Sequence, residues 1–249
     1  MSLLFGLVGA KLGYSFSADY AHDYFMRNNM DAEYRLFEMD DVAKIMDIVH
    51  NNSNLCGLNV TIPYKSSVIG FLDEIDDDAA EMGAVNCIFI SREHNKPLLH
   101  GFNTDYLAFR HVLQTIIKPE HKSALILGTG GVSKAVAYAL KTMSIPYLFV
   151  SRTKQNESTV CYDRLKDINM DEYNIIINAT PCGTEGFECL DVPEVPYKDH
   201  SLLFDLVYNP PVTAFQRRGV EKVCVVENGL RMLHLQADLF YERVLREMK

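Results

Sequence analysis

The stretch "NVTIPYK" sets Thr61 and Lys65 on either side of Pro63. Proline fixes φ and removes a ladder donor, so an apolar strand running into it stops there. Lys65 is then presented just past a strand end, where an ammonium is either a solvated surface charge or a proton carrier. Other polar groups occupy comparable places: Ser15 and Ser17 in "GYSFSADYAH", Asn86 in "GAVNCI" and Asp105 in "GFNTDY". Each has a plain structural alternative. The serines suit a helix cap, Asn86 can bond its neighbours within a strand, and Asp105 suits the first turn of a helix.

A second chemical signal lies in "LILGTGGVSKAVAYAL", where Gly128, Gly130 and Gly131 follow an apolar run and open a helical pattern. Glycines at such a strand-to-helix turn let the backbone approach a pyrophosphate, with the helix N-terminus aimed at the anion. Ser133 replaces the third glycine of G-x-G-x-x-G, so the motif draws its weight from its context. The next strand ends in "SRTK", where an NAD site carries a carboxylate for the ribose 2′-OH. Arg152 and Lys154 stand there instead, types that pair with the 2′-phosphate of NADP.

The elements that must position these groups alternate between strand and helix. Strands are predicted at residues 3–8, 33–37, 57–62 and 85–90. "DVAKIMDIVHNN" is predicted as an amphipathic helix through Val42, Ile45, Met46 and Val49. The second half repeats the plan with "SALILG", a helix, "PYLFV", "NIIINAT", "SLLFDLV" and "VCVVENG". The polar stretch 154–174 is short for a full crossover helix, so that connection is predicted to be abbreviated. The pattern predicts an α/β fold with parallel sheets and a domain boundary near residue 104. A last helix, "LRMLHLQADLFYERVLREMK", carries Leu233, Ala237, Phe240 and Val244 on one face, with Gln236 on the same stripe.

Composition narrows the function classes. A chain of 249 residues with 48% apolar and 23% charged residues is ordinary for a globular protein. Its net charge of −9 and scattered cations exclude a nucleic-acid binder, which needs a basic stripe. "LLFGLVGA" has no preceding basic residue and reads as a buried first strand rather than a signal peptide. No apolar run approaches the ~18 residues of a membrane span. Six cysteines show no CxxC pair and no metal-ligand spacing. Most read as small buried hydrophobes, which points to a reducing, cytoplasmic setting without a metal.

Taken in order, "FGLVGAKLGYSFSADYAH", "GLNVTIPYK", "GAVNCI", "GFNTDY", "GTGGVSKA", "SRT", "DLVYNPP" and "ENGLRMLHLQA" resemble shikimate dehydrogenases over nearly the whole chain. The resemblance implies NADPH-dependent, reversible reduction of 3-dehydroshikimate to shikimate, in chorismate and aromatic amino acid biosynthesis. It implies an N-terminal α/β substrate domain (1–104) and a Rossmann-type, doubly wound NADP-binding domain (105–229). A C-terminal helix (230–249) would pack back on the first. Lys65 and Asp105 become the catalytic pair, and Ser15, Ser17, Thr61, Asn86, Tyr208 and Gln236 the substrate-binding set. NADP falls to Gly128, Gly130, Gly131, Val132, Ser151, Arg152, Thr153, Lys154 and Gly229. The only partner implied is the small-molecule substrate, with the chain a monomer or homodimer.

These residue types suit that chemistry. Two hydroxyls and a phenol receive a planar carboxylate, and ring hydroxyls are met by mixed donors and acceptors. Ketone reduction needs a proton at the oxygen as negative charge develops there, which an ammonium beside a carboxylate can deliver. This chain departs from the family at "GAKLG", which lacks an early proline, and at Tyr14, Ala18 and Thr184. It also lacks an arginine a few residues past "SRT". A quinate/shikimate dehydrogenase using NAD and a non-catalytic ligand-binding paralogue are the competing readings. Ser17, where quinate-preferring relatives tend to carry Thr, favours shikimate. Joint retention of Lys65 and Asp105 favours catalysis. A cyclohydrolase-like folate dehydrogenase shares the plan but not the S-x-S and N-T-D set.

Overall fold

The computed structural model describes residues 2–13, 16–93, 96–153, 158–189 and 191–249. The chain divides into two compact units, one of Met1–Thr104 with His234–Lys249 and one of Asp105–Leu233.

The first unit contains β1 (Leu3–Gly9), α1 (Phe16–Arg27), β2 (Ala32–Glu38), α2 (Ile45–Asn51) and β3 (Leu55–Val60). These are followed by β4 (Glu74–Ile75), α3 (Asp77–Met82), β5 (Cys87–Glu93) and β6 (Lys96–Phe102). Its sheet runs in the order β2-β1-β3-β5-β6-β4. β1 lies parallel to β2 and β3, whereas β5 is antiparallel to both β3 and β6. The sheet is therefore mixed, which corrects the expectation of purely parallel sheets. β5 and β6 are separated by too few residues for the crossover of a dozen or more that parallel pairing requires. β6 is an addition to the predicted strands, because "KPLLHGF" is broken by proline and glycine.

The helix expected over residues 41–52 opens as a 3-10 turn at Val42–Lys44 before α2 begins. Asp41 caps that turn by accepting from the Ala43 N–H at 2.9 Å. Of the apolar stripe, only Ile45 and Val49 are buried. The core of this unit is aromatic. Phe5 of β1 meets Phe25, Phe240 and Tyr241 at ring-centroid distances of 5.4, 5.8 and 5.4 Å. Phe240 and Tyr241 come from α7 (Leu230–Glu247), whose Ala237, Phe240 and Val244 are buried as the helical spacing predicts. Gly57 of β3 makes this seating possible, since a Cβ there would stand 2.8 Å from the Phe240 ring.

The second unit holds α4 (Asp105–Ile116), β7 (Ala124–Leu127), α5 (Gly131–Thr142), β8 (Tyr147–Ser151) and β9 (Thr159–Cys161). β10 (Ile175–Asn178), β11 (Leu202–Asp205), α6 (Ala214–Glu221) and β12 (Val225–Asn228) complete it. All its strand pairings are parallel, in the order β12-β11-β10-β7-β8-β9. The sheet thus grows outward on both sides of β7, the doubly wound order of dinucleotide-binding folds. β7, β10 and β11 are buried at every position, as strands covered on both faces must be. Among the described residues, β8 and β10 are joined only by β9 and two 3-10 turns. The abbreviated crossover read from the polar stretch is borne out.

The cysteines depart from expectation. Cys56 and Cys87 are buried and outside any disulfide, but Cys182 and Cys189 form a disulfide with Cα atoms 4.7 Å apart. The chain folds back between them, with the Gly183 N–H donating to the Cys189 carbonyl at 2.9 Å. Gly183 and Gly186 take positive φ in that turn, a conformation that carries no steric cost for glycine. A bonded pair removes the cysteine-based argument for a reducing compartment. Among the described residues, no helix is long and apolar enough to cross a membrane.

Phe240→Ala empties the centre of the aromatic cluster and is expected to cost about 3–5 kcal/mol. Urea unfolding followed by far-ultraviolet circular dichroism measures it as a lowered midpoint.

Candidate active site

The polar residues of the first unit collect along one edge of its sheet. β1, β3 and β6 end there and β5 begins there, because β5 runs opposite to its neighbours. The residues just beyond those ends are Thr61 and Lys65 after β3, Asn86 before β5 and Thr104 after β6, while Ser17 lies in the first turn of α1. Asn86, expected within a strand, stands one residue before β5 begins. Lys65 is held by its backbone: its carbonyl accepts from the Val85 N–H at 2.7 Å, and the neighbouring Tyr64 hydroxyl donates to the Met39 carbonyl at 2.7 Å. The lysine side chain is half-buried. Thr61 donates its N–H to Val8 at 3.0 Å. A Cβ on Gly9 would fall 2.6 Å from the Thr61 methyl, so that close approach depends on glycine.

A hydrogen-bonded chain links this edge to the end of the protein. The buried Asn86 side chain accepts from the Thr104 N–H at 2.8 Å and donates to the Thr104 hydroxyl at 3.1 Å and to Gln236 Oε1 at 3.5 Å. Thr104 also contacts Cys87 Sγ at 3.3 Å, and Asn59 Nδ2 donates to the same sulfur at 3.5 Å. Asn59 Oδ1 accepts the Tyr34 hydroxyl at 2.9 Å. Burial pushes the Tyr34 phenol well above its ordinary range, opposed by a hydrogen bond with Ser17. Ser17, Asn86 and Gln236 are thereby connected through Tyr34, Asn59, Cys87 and Thr104. Sequence reading missed those four intermediaries. The signal that could have found them was a polar residue alternating into each apolar run.

In the second unit, the described members of the expected cofactor set follow strands at the C-terminal edge of the parallel sheet. Gly128 follows β7 with φ of +105°, and a Cβ on it would stand 2.8 Å from the Thr180 methyl. The Gly128 N–H donates to Val150 at 2.8 Å, which puts Ser151 beside the loop. Arg152 and Thr153 follow, both exposed. Gly130 caps α5, and a Cβ on it would meet nothing within 4 Å. Val132 lies in the first turn of that twelve-residue helix, and Ser133 is buried there with its hydroxyl unpartnered.

Tyr208 follows β11, and burial raises its phenol above the usual value. Gly229, just past β12, donates its N–H to Val207 at 3.2 Å, and any Cβ there would collide with the Leu206 carbonyl. Asp105 is the buried first residue of α4. Tyr14, Ser15 and Lys154 lie outside the described residues. The first unit thus brings together Ser17, Thr61, Lys65, Asn86 and Gln236, and the second carries Asp105, Tyr208 and the glycine loop.

Residues 7–88 match the shikimate dehydrogenase substrate binding domain. A Shikimate dehydrogenase (NADP(+)) of Clostridium botulinum strain Loch Maree is 33% identical, over 93% of this chain and 92% of its own length. The chain belongs to the shikimate dehydrogenase family. Shikimate dehydrogenase 1 of Peptoclostridium difficile superposes with a TM-score of 0.83 at 32% identity, covering 98% of this chain and 92% of that one. The Thermus thermophilus enzyme, solved with NADP(H) and shikimate, gives 0.82 at 26% identity, covering 97% and 93%.

One histidine near this edge carries a pH signature. His234 stacks on Phe16 and Tyr20 at 5.5 and 4.6 Å, and burial lowers its pKa below 6.5, with Asp238 opposing and Arg27 assisting. The unfolded chain then binds that proton more readily than the folded one. The contribution to stability is complete above the unfolded pKa of ~6.5 and is lost as pH falls below it. Thermal unfolding at a series of pH values is expected to show a steeper loss below pH ~6.5 in the wild type than in His234→Phe, which keeps the stacking without the titration.

Proposed function

We propose that the chain is an NADP-dependent shikimate dehydrogenase that reversibly reduces 3-dehydroshikimate to shikimate. What supports this reading is the shared sheet edge of Ser17, Thr61, Lys65, Asn86 and Gln236. These are the hydroxyl, ammonium and amide types that a small polyhydroxylated acid requires. Ser15, Ser17 and Tyr208 receive its carboxylate. Thr61, Asn86, Asp105 and Gln236 meet its ring hydroxyls. Lys65 donates the proton to the ketone oxygen, with Asp105 as the second member of the catalytic pair. Asn86 enters with its amide already oriented by Thr104, so less ordering is left for binding.

The second unit fits a dinucleotide phosphate. Gly128 leaves a cradle at the point where strand order reverses, Gly130 opens α5 onto free space, and the buried Ser133 hydroxyl awaits a partner. Gly128, Gly130, Gly131 and Val132 would hold the pyrophosphate against the helix N-terminus. Ser151, Arg152, Thr153 and Lys154 would hold the ribose and its 2′-phosphate, and Gly229 would border the nicotinamide. When bound, that group supplies the hydride for the ketone carbon. The activity belongs to chorismate and aromatic amino acid biosynthesis, carried out in the cytoplasm by a monomer or homodimer.

Shikimate-dependent reduction of NADP⁺, followed at 340 nm, tests the reading. Lys65→Ala is expected to lower kcat by about 10²–10⁴-fold with little change in KM for shikimate, and an unaltered kcat would sink the assigned role. Ser17→Ala should act mainly on the shikimate KM. Arg152→Ala should raise the KM for NADP⁺ and leave that for NAD⁺ nearly unmoved, since only NADP⁺ has the 2′-phosphate.

A further inference from the structure

A charged residue at the end of a buried strand needs partners, and Asp205, the last residue of β11, is fully buried. Its Oδ1 accepts from Asn178 Nδ2 at 2.8 Å and from the Val207 N–H at 3.1 Å. Its Oδ2 accepts from the Thr213 hydroxyl at 2.5 Å and from Gln216 Nε2 at 3.2 Å. Burial raises the carboxyl pKa, and the bonds from Thr213, Val207, Asn178 and Gln216 all pull against it. One carboxylate therefore ties three segments at the C-terminal edge of the sheet: the end of β10, the loop leaving β11 and the start of α6.

Two of those segments reach the dinucleotide position. Asn178 Oδ1 accepts the Thr180 N–H at 3.0 Å and the Thr180 hydroxyl at 2.6 Å, and that hydroxyl accepts the Cys182 N–H at 3.2 Å. Thr180 is thus held where its methyl group packs against Gly128, at the reversal of strand order where such folds bind their ligand. On the other side, Val207 gives its N–H to Asp205 and receives the Gly229 N–H, which clamps the backbone immediately before Tyr208.

We propose that Asp205 is a positioning residue for the dinucleotide: through Asn178 and Thr180 it sets the wall facing Gly128, and through Val207 it sets the segment carrying Tyr208. The proposal rests on the NADP-dependent reading above. The test is titration calorimetry of NADPH with the wild type, Asp205→Asn and Thr180→Val, alongside thermal unfolding and separate KM values for NADP⁺ and shikimate. The asparagine keeps one acceptor and the side-chain shape. The valine breaks the link at its far end while sparing the buried carboxylate, so it reports even if Asp205→Asn fails to fold. Both folded variants are expected to bind NADPH about 10–100-fold more weakly, as misplacement of a binding wall produces, with the NADP⁺ KM rising more than the shikimate KM. Thr180→Ser, which keeps the hydroxyl but loses the methyl group, should bind NADPH more tightly than Thr180→Val if the hydroxyl link to Asn178 sets the wall. A lowered unfolding temperature with NADPH affinity unchanged in the folded variants would overturn the positioning role. Failure of the wild type itself to bind NADPH would count against the functional reading instead.

Discussion

Polar side chains buried at strand ends must be hydrogen-bonded, because water is no longer there to satisfy them. That constraint organises both units. In the first, Asn86 is almost wholly enclosed and commits both ends of its amide to Thr104 and Gln236. In the second, Asp205 is enclosed and accepts four hydrogen bonds. Each residue sits where an apolar strand gives way to a loop. The strand below it is locked by the core, and the loop above it is locked by the polar group. A loop held in this way presents its neighbouring side chains in a defined direction without needing secondary structure of its own.

The apolar core makes the constraint effective. α7 lies on β3 because Gly57 leaves room for the Phe240 ring, and Phe5, Phe25 and Tyr241 close around it. Gln236 rides on that same helix, one position before the buried Ala237. The packing that stabilises the first unit therefore also fixes the distance between Gln236 and Asn86. Loss of the aromatic contact and loss of the polar contact are coupled through one helix. Small residues serve a similar purpose at the glycine loop, where Gly128 admits Thr180 at a distance no side chain would allow.

Much of this was legible in the chain. Alternation of apolar runs and helical stripes identified the α/β class, and the order of short motifs identified the family. Glycines at a strand-to-helix turn marked the dinucleotide loop. Three features were not legible. The mixed sheet of the first unit arises from β5, which runs against both β3 and β6, the latter a strand that proline and glycine disguise. The bond between Cys182 and Cys189 depends on a loop folding back, which residue spacing does not reveal. The linking residues Tyr34, Asn59, Cys87 and Thr104 look like ordinary strand and loop positions until their partners are known.

By itself, the sequence determined which groups can carry a proton, receive a carboxylate or cradle a phosphate, because those are properties of residue type and local spacing. It also determined where strands must stop, since Pro63 and the glycines act on the backbone at their own positions. Only the tertiary structure decided which of those groups share an edge. Strand direction sets that, and β5 running against β3 brings Asn86 beside the end of "LNV". Only the fold, too, decided that Asp205 is a hub rather than a surface acid. Its partner Asn178 lies 27 positions away on the neighbouring strand, and that contact exists only once the sheet has assembled.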